Sequence, residues 1–189
     1  MSLIDVPELC MDKIIEEGFT RLVDVINTQT RDLDAAQDQL KLHDGTLLEK
    51  MGEMAAPIAN AIGIEILSRG KVDVAGEIYD PKYYETPMVV LGKSLEIAPF
   101  RPDDPSKKIT DQFCTLGSNG VFYEILYSQD ELVVDSFLGE LTGRQVLDIY
   151  GYEMMYMLYK ALHQYADDQE QLLLALAAVM ELIGISGKG

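Results

Sequence analysis

The sequence predicts an α+β fold with N-terminal helices, a central antiparallel meander of about five strands, and two C-terminal helices packed on the sheet. Apolar residues recur at three- and four-residue spacing before residue 70 and after residue 140, whereas short alternating or apolar runs separated by turn residues occupy the stretch between. Segregated helices and consecutive strands favour this class over a doubly wound parallel sheet. We expect one domain over residues 1–189, with helical parts 1–70 and 140–189 flanking a sheet over 71–139.

The chain is strongly acidic. Lys and Arg total 15 against 32 Asp and Glu, which gives a formal net charge of −17, and each of the three parts carries an excess of acid. Because nucleic acids and anionic membranes are held mainly through Lys and Arg, we expect neither as a partner. The sequence has no basic segment leading into an apolar run at its start and no apolar stretch near the roughly 20 residues of a membrane span. We therefore expect a cytoplasmic protein.

Capping patterns predict four helix starts. A short polar residue followed three positions later by Glu or Gln satisfies the first free amides of a helix. The pattern occurs at 5–8, 46–49, 142–145 and 168–171. His43-Asp44-Gly45 predicts the end of the first helix, with Gly45 as a left-handed terminator.

A narrow apolar stripe marks the first helix. Its members alternate four and three residues apart, with a glutamine filling one position: Ile15, Phe19, Leu22, Ile26, Gln29, Leu33, Ala36 and Leu40. A stripe this narrow packs against one neighbour, which is either an antiparallel helix of the same chain or the same helix of a second subunit. The second helix is expected from Leu47 to about Leu67, with a kink or break at Pro57.

Strand patterns fill the central part. Alternation over Val72–Ile78 predicts a half-buried strand, and Met88–Gly92 predicts a short buried one. Three further runs, at 109–116, 121–127 and 132–138, are separated by turn residues at 118–120 and 128–130. Three prolines within 96–108 predict a long irregular loop.

The C-terminal part predicts two helices, from about Gly143 to Ala166 and from Gln169 to about Ile183. The second is apolar on nearly every side from Leu172 to Val179. Such a helix is expected either at the centre of the fold or at a subunit interface. With the narrow N-terminal stripe, it predicts a homodimer.

The best candidate binding site is an aromatic segment with prolines at positions 81 and 87. It holds three tyrosines and three charged residues: Tyr79, Asp80, Lys82, Tyr83, Tyr84 and Glu85. Aromatic faces beside charges suit a small planar or cationic ligand, or the anchor residues of a protein partner. The alternative is a loop whose tyrosines only cover the edge of the sheet.

Candidates for catalysis are few. Lys93, Tyr83 and Cys114 carry reactive groups, but no histidine accompanies Cys114 in its element, and core packing of this thiol is the preferred interpretation. His43 and His163 stand alone, without the spacing of a metal site, so we expect no metal. The two cysteines, Cys10 and Cys114, are expected as free thiols.

The sequence identifies no specific activity and no cofactor. Its leading interpretation is a non-catalytic binding or assembly module that acts as a homodimer and presents the loop 79–85 to a small ligand or a protein. The alternative is a small enzyme with a cleft between sheet and helices that uses Lys93, Tyr83 or Cys114. A deep pocket around Lys93 or Cys114 with a second titratable group would favour the enzyme.

Overall fold

The computed structural model describes residues 8–130 and 132–182, and it confirms the α+β fold with six strands rather than five. A single long helix precedes the sheet and two helices follow it. The elements are α1 (Glu8–Ile62), β1 (Leu67–Val72), β2 (Ile78–Tyr83), β3 (Met88–Lys93), β4 (Asp111–Gly117), β5 (Phe122–Asp130), β6 (Val133–Leu141), α2 (Gly143–Tyr150) and α3 (Glu153–Leu182).

All strand pairs are antiparallel, in the order β2-β1-β6-β5-β4-β3. Strands β3 to β6 form the predicted meander, and the hairpin β1–β2 adds to its β6 end. The sheet curls, because the short segment before β1 bonds to residues that lead into β3. The Tyr84 amide donates to the Ile66 carbonyl at 2.9 Å, and Ile64 and Met88 exchange two backbone bonds of 2.9 and 3.0 Å.

Two apolar clusters lie on opposite faces of the sheet. The larger joins the sheet to the helices and contains Leu48, Ala55, Ala59, Leu91, Cys114, Leu116, Phe122, Leu141, Val146, Leu147, Met154 and Leu158. The smaller lies inside the curl and contains Ile66, Met88, Tyr123 and Ile125. Alternation explains this division, since Phe122 and Tyr123 are neighbours in β5 and point to opposite faces.

Helix α2 begins where the capping pattern predicts. Thr142 accepts from the Gln145 amide, and the Gln145 side chain accepts from the Thr142 amide at 2.8 Å. Helix α2 ends at Gly151, whose φ of +81° interrupts the helix that was predicted to continue to residue 166. The predicted start at Asp168 is wrong, because α3 runs through this residue. The predicted start at 5–8 lies largely outside the described residues.

The predicted helix boundary at 43–46 is wrong. Helix α1 continues through Gly45 and Thr46, and it also accommodates Pro57 in its interior. Gly45 serves close packing instead of helix termination, because a Cβ at this position would lie 2.7 Å from the Arg144 amide nitrogen. Sequence cannot distinguish a terminating glycine from one that allows two backbones to approach.

The predicted strand Val72–Ile78 is the turn between β1 and β2. Asp73 closes the turn by accepting from the Ala75 and Glu77 amides at 2.9 and 2.8 Å, and Gly76 takes a φ of +87°. Alternating residues were therefore misread, since an aspartate turn and a glycine at positive φ override the strand pattern. Likewise, the turn predicted at 128–130 belongs to β5, which reaches Asp130.

The chain divides into two compact units, Met1–His43 and Asp44–Gly189. In the first unit every described side chain from residue 13 to residue 40 is exposed. In the second unit the sheet and its helices enclose both apolar clusters. The single domain expected from the sequence stays a prediction.

The apolar end of α3 is exposed, so the prediction that it lies at the centre of the fold is wrong. Leu173 and Leu174 are each about two-thirds exposed, and Leu172, Leu176 and Val179 about half. The alternative of a subunit interface stays a prediction.

Candidate functional site

Two adjoining cavities form a cationic groove, here called the basic groove, on β2, β1, β6, β5 and the segment 106–108. The larger has a volume of about 490 Å³ and the smaller about 130 Å³, and they share Arg69 and Val133. Among the described residues, five cations line the two: Arg69, Lys71, Lys82, Lys107 and Lys108. Three described acids accompany them, Asp80, Asp130 and Asp135, so the described lining is net positive in a chain of charge −17.

The register of three strands builds the centre of the groove. Arg69 of β1 lies opposite Asp135 of β6, and Asp135 lies opposite Ser128 of β5. Directly paired residues of antiparallel strands point to the same face, so these three side chains follow one another across the sheet.

A buried arginine holds one acid of the groove, Asp135, and a neighbouring acid, Asp103. Arg101 is 5% exposed and donates twice to Asp103, at 2.9 and 2.5 Å, and once to Asp135 at 2.8 Å. Lys107 pairs with the other oxygen of Asp135. The Arg101 guanidinium lowers the pKa of Asp103, and the bond to Asp103 raises the pKa of Arg101. Asp135 is therefore neutralised by two cations and does not repel an anion in the groove.

The edge strand β2 supplies the outer wall. Asp80 adopts a φ of +54° beside an irregularity in the β1–β2 pairing, and its carboxylate accepts from Lys71 at 3.0 Å. This hydrogen bond lowers the pKa of Asp80 and raises that of Lys71. The Lys71 ammonium lies 5.9 Å from the centre of the Tyr79 ring. A cation and an aromatic face therefore meet at the edge of the smaller cavity.

Three cations of the basic groove form no salt bridge among the described residues. They are Arg69, Lys82 and Lys108. The Ser128 side chain is 4% exposed, and its hydroxyl forms no hydrogen bond within the described part of the chain. Buried hydroxyls are normally bonded, so an unsatisfied one at the wall of a cationic cavity is a group that a polar ligand would satisfy.

The predicted binding segment is divided by the structure. Asp80 and Lys82 line the basic groove, and Tyr79 stands at its edge. Tyr84 is partly buried, and its hydroxyl bonds to the Ser136 carbonyl and hydroxyl at 3.1 and 3.0 Å, as in the alternative of a tyrosine that covers the sheet. Tyr83 and Glu85 are exposed. The segment was expected as a loop, and this is wrong for residues 79–83, which form most of β2.

A second cavity, here called the β3 cavity, lies between β3 and the C-terminal helices. Its volume is about 440 Å³, and Lys93, Tyr150, Glu96 and Glu153 are among its lining residues. The Lys93 ammonium donates to Asp111 at 2.5 Å. Burial raises the pKa of Tyr150, so this hydroxyl stays neutral.

The three candidate catalytic residues do not come together. Lys93 is on β3 and Tyr83 is on β2, the two ends of the strand order, and no hydrogen bond joins them. Cys114 is 0% exposed in the larger apolar cluster, and burial raises its pKa to about 12. A buried neutral thiol agrees with core packing and lacks the thiolate that a nucleophile needs.

Sequence reasoning missed most of the basic groove. Arg69 lies in the part predicted as helical, and Lys107 and Lys108 lie in the predicted irregular loop. The local charge balance of the sequence indicates this groove. Residues 69–108 hold seven cations and seven acids and are therefore neutral in a chain of charge −17. Counts over the longer stretch 71–139 hid this local balance.

In the part of the chain that the structure describes, no three His, Cys, Asp or Glu side chains are grouped to hold a metal ion. Within the same residues, no helix combines the length and apolarity that crossing a bilayer requires.

Comparison with protein-family models, with curated proteins and with solved structures finds no match to this chain.

Proposed function

We propose that this chain is a binding module whose basic groove takes a small anionic ligand through its carboxylate or phosphate groups. The observation that carries the proposal is the concentration of five of the 15 cations around two adjoining cavities, three of them in no salt bridge among the described residues. Arginine and lysine are the usual ligands of carboxylates and phosphates, and Arg69 can bind either with two parallel hydrogen bonds.

The size of the groove supports a small molecule. About 490 Å³ in the larger cavity is within the usual range for metabolite-sized ligands. A long polyanion would extend beyond the groove onto an acidic surface that repels it. The rest of the chain is more acidic than the net charge of −17 indicates, because the groove lining is net positive. A small anion contacts only the positively charged lining of the groove.

The dispersal of the reactive side chains supports binding over catalysis. Lys93 lines the β3 cavity, but its side chain is 52% exposed and paired with Asp111, so no deep pocket surrounds it, and Cys114 is buried as a neutral thiol. Neither lines the basic groove, whose own residues include no histidine or cysteine.

Isothermal titration with inorganic phosphate, citrate and a nucleoside monophosphate, at low ionic strength, tests the proposal. We expect saturable binding of at least one of these anions by the wild-type chain, weakened at least tenfold in the double variant Arg69→Gln/Lys108→Gln. The control double variant Lys50→Gln/Lys160→Gln changes two exposed lysines outside the groove and alters the net charge equally. We expect it to bind like the wild type.

Three outcomes would contradict the proposal. The first is no binding of any of the three anions, and the second is equal weakening by both double variants, which would assign binding to net charge alone. The third is tighter binding of a single-stranded oligonucleotide than of any small anion, which would indicate a polyanion site.

A further inference from the structure

The first unit carries an uncovered apolar seam on helix α1. Its positions are Ile15, Phe19, Leu22, Ile26, Gln29, Leu33, Ala36 and Leu40. The six large apolar members are between 51% and 67% exposed, although buried packing is the usual role of such side chains.

The spacing of the seam is that of a coiled coil. Successive members alternate four and three residues apart without interruption, an average of 3.5, which keeps them facing one partner when two helices supercoil. From residue 15 to residue 40 the seam is about 39 Å long, at 1.5 Å per residue.

The charges of this stretch avoid the seam. Nine charged residues lie between positions 13 and 40, and none occupies a seam position: Lys13, Glu16, Glu17, Arg21, Asp24, Arg31, Asp32, Asp34 and Asp38. Only Glu16 and Asp32 take one of the eight positions beside it. In a parallel pair Asp32 would face Gln37 of the second copy, so like charges do not meet there.

The single polar seam residue, Gln29, indicates which partner and direction fit. A glutamine amide is both donor and acceptor, so the same residue of a parallel, in-register copy can satisfy it. If the seam ran antiparallel about its midpoint, Gln29 would instead face Ile26 and its amide would be buried without a partner. Single polar residues in the seam are known to specify register in coiled coils.

We infer that residues 15–40 of helix α1 form a parallel, two-stranded coiled coil with a second copy of this chain. The self-complementary glutamine favours a copy of the same sequence over a different protein. The interface requires no residue of the basic groove, so it goes beyond the proposed binding function.

Light scattering after size exclusion at micromolar concentration tests this assembly on the full chain. We expect twice the monomer mass of 21.1 kDa for the wild type. The double variant Leu22→Glu/Ile26→Glu places charges in the seam and should return the monomer mass. The control Thr20→Glu/Asn27→Glu adds the same charge on the outer face of the helix and should keep the dimer mass.

Cysteine cross-linking tests direction and register in chains that also carry Cys10→Ser; Cys114 is buried and is kept. In a parallel in-register pair, Leu22→Cys and Ala36→Cys should each form a disulfide with itself under mild oxidation. Asp24→Cys, on the outer face, should not.

A wild-type mass of one chain, or of three or more, would overturn the two-stranded assembly. A dimer in which neither seam cysteine cross-links with itself would overturn the parallel register. Since phosphate, citrate and nucleotide binding is measured separately, failure of the assembly leaves the test of the basic groove unaffected.

Discussion

Two stretches of the same helix carry apolar residues at helical spacing and differ completely in burial. Between residues 13 and 40 of α1 every side chain is exposed, whereas Leu48, Ala55 and Ala59 are buried against the sheet. The spacing of apolar residues therefore determines which face of a helix is apolar, whereas the neighbouring elements determine whether this face is buried.

A matched pair of leucines gives the largest expected contrast. We expect Leu48→Ala to lower the free energy of unfolding by about 2–5 kcal/mol, because the side chain is fully buried and its removal leaves a cavity. Leu33→Ala should change the unfolding of the sheet unit by less than about 0.5 kcal/mol, since this side chain is 63% exposed. Urea denaturation at submicromolar protein measures both, and equal effects would contradict the comparison.

A matched pair of glycines should give effects of opposite sign. A Cβ at Gly143 would lie 2.0 Å from the Gly45 carbonyl oxygen, so we expect Gly143→Ala to destabilise the chain by about 1–3 kcal/mol. Gly18 has no atom within 4 Å of such a Cβ. There, Gly18→Ala should stabilise the helix by about 0.5–1 kcal/mol, because glycine costs more backbone entropy.

Thermal unfolding followed by circular dichroism separates the two glycine variants. If both variants shifted the unfolding temperature in the same direction, the surroundings of Gly18 would be packed as closely as those of Gly143. The two units would then not differ in packing.

The smallest expected effect concerns a carboxylate of the second unit. Burial raises the pKa of Glu124 above its usual value of 4.5, so the folded state holds this proton more tightly than the unfolded state. Stability contributed by the protonated form is therefore present below the unfolded pKa and is lost as pH rises through the folded pKa.

Replacing the carboxylate tests this sign. Glu124→Gln should gain stability at pH 7, by less than about 1 kcal/mol, and show no gain at pH 4. Urea denaturation at the two pH values measures the difference. A gain of equal size at both would assign the effect to packing, and a loss at pH 7 would show that the ionised form is favoured in the fold.

Much of the fold could be predicted from local patterns. The capping pair Thr142 and Gln145, the strand that begins at Met88 and the turn at residues 118–120 occur where the sequence places them. Each depends on neighbours within a few residues, so no tertiary information is needed. Gly45 and Asp73 were misread because their roles depend on the approach of another backbone and on a side chain that closes a turn.

The candidate site was partly predictable. Asp80 and Lys82 were identified from an aromatic and charged segment, and they do line the basic groove. Arg69, Ser128 and Asp135 could not be joined to them, because strand pairing places Arg69 opposite Asp135, 66 positions further along the chain. Charged residues can be counted along the sequence, but the register of the paired strands is needed to know which of them lie on the same face of the sheet.

Composition and residue spacing are enough to predict the α+β class, the acidic balance of 32 acids against 15 cations, and the seven-residue repeat of helix α1. These follow from composition and from spacing along one chain, which folding does not alter. Two further properties follow only from the tertiary structure. Cations from β1, β2 and the 106–108 segment line one groove, and Cys114 is buried. Both depend on contacts between distant residues, where the pairing of strands and the covering of faces set the environment of each side chain.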